Sequence, residues 1–296
     1  MKKKLLTIAV ASTVLLFGVG VYTVLATNSS GYEIYKEALK ETHKMKSAVA
    51  NIELNISNND KLLQDLTVQS IYNLEEQRGS TNINLKTSDQ TIQLEINSDE
   101  KHIYIDNDQL DTTYILESKR DSDKMRERHE RVHNKELMKV AELVVDTLTR
   151  PLHDSFVIGP ENTISVDVTN DEIPTAIHAI GSYMVKKASG HHANMEMTMD
   201  DYPFLTRSYQ QEFPNLTDEI TFEQIKVDAQ LTEAGLMKNQ QAIFRISGKD
   251  QEGKSHTLDI QLDFSFENIN ETTLPPLNLD GKKLETIELK KGHHFH

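Results

Sequence analysis

The chain has 296 residues, 37% hydrophobic and 26% charged, with a formal net charge of −14 and neither Cys nor Trp. Without cysteine it has no disulfide framework, no thiolate metal site, no thiol nucleophile and no lipid-modified N-terminal cysteine. Its acidity repels phosphate backbones and anionic lipid surfaces, which excludes nucleic acid from the expected partners.

Lys2, Lys3 and Lys4 open the chain, and Leu5 to Ala26 follow without a single charge. A run of that length can cross a bilayer as a helix, and its basic flank predicts a cytoplasmic N-terminus. Two readings of residues 1–26 stay open. Val24-Leu25-Ala26 is an acceptable cleavage site for a signal peptide. The length of the run favours an uncleaved anchor, because the apolar region of a signal peptide spans only about 7–15 residues. Both readings put the remainder outside the cytoplasm. It is either held at the cell membrane by one N-terminal pass through residues 5–26, or secreted after cleavage near Ala26. Losing the three lysines takes the exported part from −14 to −17.

Residues 27–31 form a short polar linker, and an extracytoplasmic domain is expected over 32–289. It begins with YEIYKEALKETHKMKSA, whose Tyr32, Tyr35, Ala38, Leu39 and Met45 recur at helical spacing on one stripe. The period then drops to two. In ANIELNIS, Ile52, Leu54 and Ile56 alternate with Glu53, Asn55 and Ser57. LTVQSIYNL, STNINLKT, TIQLEINS and KHIYIDND behave alike, separated by short polar breaks. Closely spaced alternating runs predict an antiparallel meander with one wet face. Its apolar face then needs a helix or a second layer to cover it.

The longest helical candidate spans 122–149, and Leu137, Val140, Leu143, Val144 and Leu148 lie on one side of its second half. Pro151 marks its stop. NTISVDV reads as a strand, and EIPTAIHAIGSYMVKKA as a second helix starting near Asn170 or Asp171. After GHHANMEMTMDD the chain turns β-rich again. EQIKVDAQLTEAG leads into two long alternating runs joined by GKDQEGK, and LETIEL adds an edge strand. Helix then meander thus occurs twice, at about 32–120 and 165–289, ahead of a His-rich tail at 290–296. The fold class is α+β, a curved antiparallel sheet packed on amphipathic helices.

A helix followed by a meander that curls over it resembles the half-barrel of exported lipoprotein carriers of the LolA type and of LppX/LprG-like lipid-binding proteins. VVDTLTRPLHDSFVI, DEIPTAIHAIGSYMVKKA and GKDQEGKSHTLDIQLDF resemble membrane-anchored proteins of Bacillus-like bacteria. The resemblance implies a fold and brings no catalytic motif with it. It departs from LppX-like proteins in lacking their lipid-attachment cysteine, so a peptide anchor would have to replace the lipid.

The stretch HERVH spells H-E-x-x-H. On a helix this sets His129 and His133 about 40° apart on one face for zinc, with Glu130 as general base. A zinc-dependent hydrolase is therefore the catalytic alternative. Against it, Glu136 and Lys139 stand where the longer metzincin pattern has glycine and a third histidine. Arg126, Arg128, Arg131 and Lys135 surround the motif, and cations repel a dication. Glu161 and Glu172 are the downstream carboxylates available as a third ligand. His191-His192 and the tail histidines His293, His294 and His296 suggest weak transition-metal binding in the cell envelope as a further alternative. Met195, Met197 and Met199 alternate as a pliable apolar strip. No nucleophile elbow, phosphate loop or dinucleotide fingerprint occurs. No catalytic, cofactor-binding or metal residue is assigned, and no cofactor is expected. The leading expectation is a non-catalytic, membrane-tethered, extracytoplasmic binding or scaffold protein. Its concave sheet would hold a lipid-like or peptide ligand, or face an envelope protein partner.

Overall fold

The computed structural model describes residues 30–42, 44–117, 150–192, 196–197, 202–206, 209–210, 213–279 and 281–287. The expected membrane segment, the 122–149 helix and the His-rich tail lie outside them. Among the described residues no helix is long and apolar enough to cross a membrane.

Helix α1 (Gly31–Thr42) leads into a meander of β1 (Ser47–Asn58), β2 (Lys61–Asn73), β3 (Arg78–Thr87), β4 (Thr91–Ser98), β5 (His102–Asp106) and β6 (Thr112–Glu117). A 3-10 helix (Arg150–Ser155) precedes β7 (Val157–Ile158) and β8 (Thr163–Thr169). Helix α2 (Thr175–His192) follows, then the small pair β9 (Glu196–Met197) and β10 (Tyr209–Gln210). The long strands β11 (Asp218–Leu231), β12 (Met237–Lys249) and β13 (Ser255–Glu267) come next, and β14 (Lys283–Thr286) last. Twelve of these strands form one open sheet in the order β14-β6-β5-β4-β3-β2-β1-β13-β12-β11-β8-β7. Every neighbouring pair is antiparallel except β14 on β6. The first and last meanders meet where β1 pairs with β13.

The observed class is α+β, dominated by this sheet. The alternation read from the sequence becomes a separation of its two faces. One row of facing residues runs Ile92, Leu85, Leu66, Leu54, Leu262, Ala242, Val227, Val166 across eight strands. The row one residue away, on the opposite face, runs Gln93, Asn84, Thr67, Glu53, Asp263, Gln241, Asp228, Ser165. The first is wholly apolar and the second wholly polar.

The helices pack on the apolar face. Ala38 of α1 is buried with Ile164, Ala229, Leu231, Met237 and Phe264. The helix ends at Thr42 because that hydroxyl donates to the Ala38 carbonyl (2.7 Å) and accepts from the Met237 N–H (2.9 Å). Met45, read from the sequence as part of the helix stripe, is instead buried in the turn before β1. Tyr35 donates its hydroxyl to Oε1 of the buried Gln240 at 2.7 Å, and burial pushes the phenol well above its ordinary pKa.

α2 starts four residues later than Asp171. Thr169, Asn170, Asp171 and Glu172 form a tight turn in which the Glu172 carboxylate accepts from the Thr169 N–H (3.0 Å) and hydroxyl (3.2 Å). Pro174 disfavours helical backbone at Ile173 and supplies the first helical carbonyl instead, to Ile177 and His178. The helix crosses so close to β11 that a Cβ on Gly181 would lie 2.3 Å from the Phe222 ring. Ser182 and Lys186 donate to the carbonyls of Ile220 and Thr217. At the other end of the sheet, Tyr202, Phe204 and Leu205 cover Ile92, Ile105 and Leu116, and the buried Asn107 amide donates to the Phe204 carbonyl (2.9 Å).

Leu262 is 2% exposed at the centre of the apolar face, between Leu54 and Ala242. Leu262→Ala should lower unfolding free energy by about 2–4 kcal/mol, read from denaturant titration, with the far-ultraviolet spectrum unchanged.

Candidate functional site

An open hollow of about 600 Å³ lies on the polar face, over β8, β11, β12, β13 and β1. Two parallel rows of facing residues build it. One is Ser165, Asp228, Gln241, Asp263, Glu53, and the other Thr163, Gln230, Asn239, Ser265, Asn51. At about 4.8 Å per strand, each row is about 19 Å long. The hollow lies on the side of the sheet opposite the helices.

The side chains are held by one another. Asp263 accepts from the amides of Gln241 (2.7 Å) and Gln261 (2.8 Å), which fixes both of its oxygens. Asn239 donates to Gln230 (3.1 Å), and Asn51 accepts from Gln69 (3.0 Å) while donating to Glu267 (3.2 Å). Lys226 beside the hollow is 3.3 Å from Asp228. Besides Ile164, Ala229 and Phe264, the lining contains amides, hydroxyls and three carboxylates, and no lysine, arginine or histidine. Glu53 stands directly opposite Asp263, an arrangement of like charges that works against the sheet.

The chemistry these groups offer is recognition. Side-chain amides and hydroxyls both donate and accept, and the carboxylates attract a cation. No cysteine, histidine or lysine is in the lining to act as nucleophile or imidazole base. Among the described residues no group of three or more His, Asp or Glu is placed to hold a metal ion.

A second polar cluster lies at the end of the sheet. His256, 6% exposed, donates from Nε2 to Asp250 Oδ2 (2.9 Å), and its Nδ1 accepts from the Asn58 amide (3.0 Å). The other Asp250 oxygen accepts from the backbone N–H groups of Glu252 and Lys254 (2.9 Å each). His256 and these N–H groups hold the Asp250 carboxyl below its usual range. The cluster ties the β12–β13 turn to the β1–β2 turn, where Asn59 Oδ1 also accepts from the Thr257 N–H. It is a fastening, since all its polar atoms are engaged within the protein.

The residues singled out from the sequence are not the ones that line the hollow. His129, Glu130 and His133 lie outside the described residues, as do His293, His294 and His296, and Met195 and Met199. His191 and His192 are the last two residues of α2, and Met197 ends β9. Glu172 is engaged by Thr169, and Glu161 sits in the turn before β8 with φ 55°. Glu53, Asp228, Gln241 and Asp263 are visible in the sequence only as the polar members of alternating strands. Alternation does not say which strands become neighbours, so their alignment carries no signal there.

No family model matches the chain, and no curated protein matches it. Among solved structures, an uncharacterized conserved protein from Thermus thermophilus is 9% identical, covering 86% of this chain and 98% of that one with a TM-score of 0.29. The dehydratase domain of PpsC from Mycobacterium tuberculosis, in complex with C12:1-CoA, is 9% identical, covering 88% and 84% with a TM-score of 0.12. Likeness at these scores carries no argument about this chain.

Two outcomes are expected. Glu53→Gln should raise unfolding free energy by about 0.5 kcal/mol at neutral pH by removing the like-charge contact with Asp263, and high salt should erase the gain. For Asp250 the folded pKa is depressed, so its stabilisation is full above the unfolded value of about 3.9 and is lost as pH falls through the folded value. Asp250→Asn should therefore flatten the acid limb of the stability curve measured by thermal melts at stepped pH.

Proposed function

We propose that the protein is a non-catalytic, membrane-tethered, extracytoplasmic binding or scaffold protein whose ligand is a cationic, peptide-like segment lying against the polar face of the sheet. The observation that carries this reading is the two-row hollow of amides and hydroxyls with Glu53, Asp228 and Asp263 and no cation in its lining. Amide side chains match the donors and acceptors of a peptide backbone, and the three carboxylates match lysine or arginine side chains. The net charge of −14 draws the same partner at longer range. The uncharged run from Leu5 to Ala26 supports the tether and the extracytoplasmic location.

The antiparallel sheet with helices on one face is compatible with the LolA/LppX-like half-barrel that the sequence resembles. A lipid-like ligand of such carriers requires an apolar cavity, whereas the two rows that build this hollow are amides, hydroxyls and carboxylates. That chemistry favours the peptide over the lipid.

The test is calorimetric titration of the exported domain with a lysine-rich peptide and with a neutral peptide of equal length. The basic peptide should bind, weaken with added salt, and lose about tenfold in affinity in the double variant Glu53→Gln/Asp228→Asn, which corresponds to about 1.4 kcal/mol. Binding that ignores both carboxylates, or phospholipid co-purifying in stoichiometric amount, would overturn the reading.

A further inference from the structure

α1 begins at Gly31, and a Cβ there would lie 2.6 Å from the Phe156 carbonyl oxygen. By bond lengths this sets Val157, the next residue, within about 8 Å of Gly31. Side chains clamp the same corner. Tyr32 stacks on His153 at 3.6 Å and meets the Phe156 ring edge-on at 5.4 Å, and Leu152 is buried against Val166 and Val168.

Val157 and Ile158 make up β7, the strand at this edge of the sheet. They are 59% and 53% exposed. A tight turn holds them, in which Gly159 donates to the Thr163 carbonyl (2.9 Å) and Thr163 donates to that of Pro160 (3.1 Å). Successive strand residues point to opposite faces. Val157 lies opposite Ser165 of the polar face, and Ile158 opposite Ile164 of the apolar face. The edge is therefore apolar on both sides. That suits entry edge-on into an apolar medium, and not a flat contact on either face. Single exposed leucines such as Leu62 and Leu74 need no explanation, but here two large apolar side chains are adjacent.

The sequence says what lies beside this edge. The uncharged run ends at Ala26, five positions before Gly31. Whatever path the chain takes between them, it reaches at most about 18 Å. The sheet is eleven strand spacings wide, about 53 Å. A tether so much shorter than the body keeps the β7 edge near the bilayer however the body turns.

We propose that Val157 and Ile158 seat the domain on the membrane, entering the lipid interface edge-on beside the anchor. The contact is apolar, since taking both side chains out of water is favourable. The exposed Asp154 and Glu161 on either side are repelled by anionic lipid, so a zwitterionic surface is the partner this edge fits. The inference rests on the membrane-tether part of the proposed function and is independent of what the hollow binds.

The chain has no cysteine, so single probes test it. In the full chain, Val157→Cys, Ile158→Cys and Leu62→Cys each carry one nitrobenzoxadiazole label, in phosphatidylcholine vesicles with and without a doxyl-lipid quencher. Leu62 is the control. It is apolar and 46% exposed, but β2 lies six strand spacings from β7, about 29 Å. The label's own affinity for lipid is the same at all three sites. Emission at 157 and 158 should be blue-shifted and quenched about twofold or more over 62, unchanged by high salt. Protein that floats with the vesicles while 157 and 158 are quenched no more than 62 would refute the seating and leave the tether standing. Protein that does not float with them would refute both.

Discussion

Ten consecutive residues of β1, Val49 to Asn58, face ten of β13, Glu267 to Leu258, and this seam joins the first meander to the last. Its register sets the character of both faces. Leu54 opposes Leu262 and Glu53 opposes Asp263. A slip of one residue would put leucine against aspartate and expose half of the apolar row, so no alternative register competes. The same parity holds through the neighbouring strands, from Ile92 in β4 to Val166 in β8. An apolar layer that takes helices and a polar layer that faces water both follow from this one alignment.

The polar layer is more than a solvated back. Its side chains are organised into cross-strand amide and carboxylate contacts, with Asp263 held at both oxygens by Gln241 and Gln261. Asp263 stands beside Glu53, a like-charge contact that works against the sheet. The hollow lies over these rows. The buried His256–Asp250 contact, chemically the more provocative pair, is accounted for by the turns it binds together.

Much of the strand content is legible in the alternation. β4 coincides with TIQLEINS, and β1, β2, β3, β8, β11, β12 and β13 contain or overlap the runs that predict them. The edge strand expected from LETIEL is present as β14, though its partner is the distant β6 and the pairing is parallel. β6 itself, TTYILE, carries too short an alternation to predict a strand, and its pairing with β5 and β14 makes it one. The start of α2 differs from the expected one because Asn170 and Asp171 resemble an N-cap, while Pro174 makes the earlier turn its own unit.

The hollow is not legible in the sequence at all. Glu53 and Asp263 are 210 positions apart, and each taken alone is an ordinary polar residue on the wet side of a strand. Local spacing, by contrast, determined by itself which residues alternate, where the helical stripes run and that the chain is acidic and free of cysteine, because these depend only on neighbours in sequence. Only the tertiary structure decided which strands lie side by side and which polar rows align into one surface. Those are consequences of pairing across long sequence separations, and periodicity within a strand carries no record of its partner.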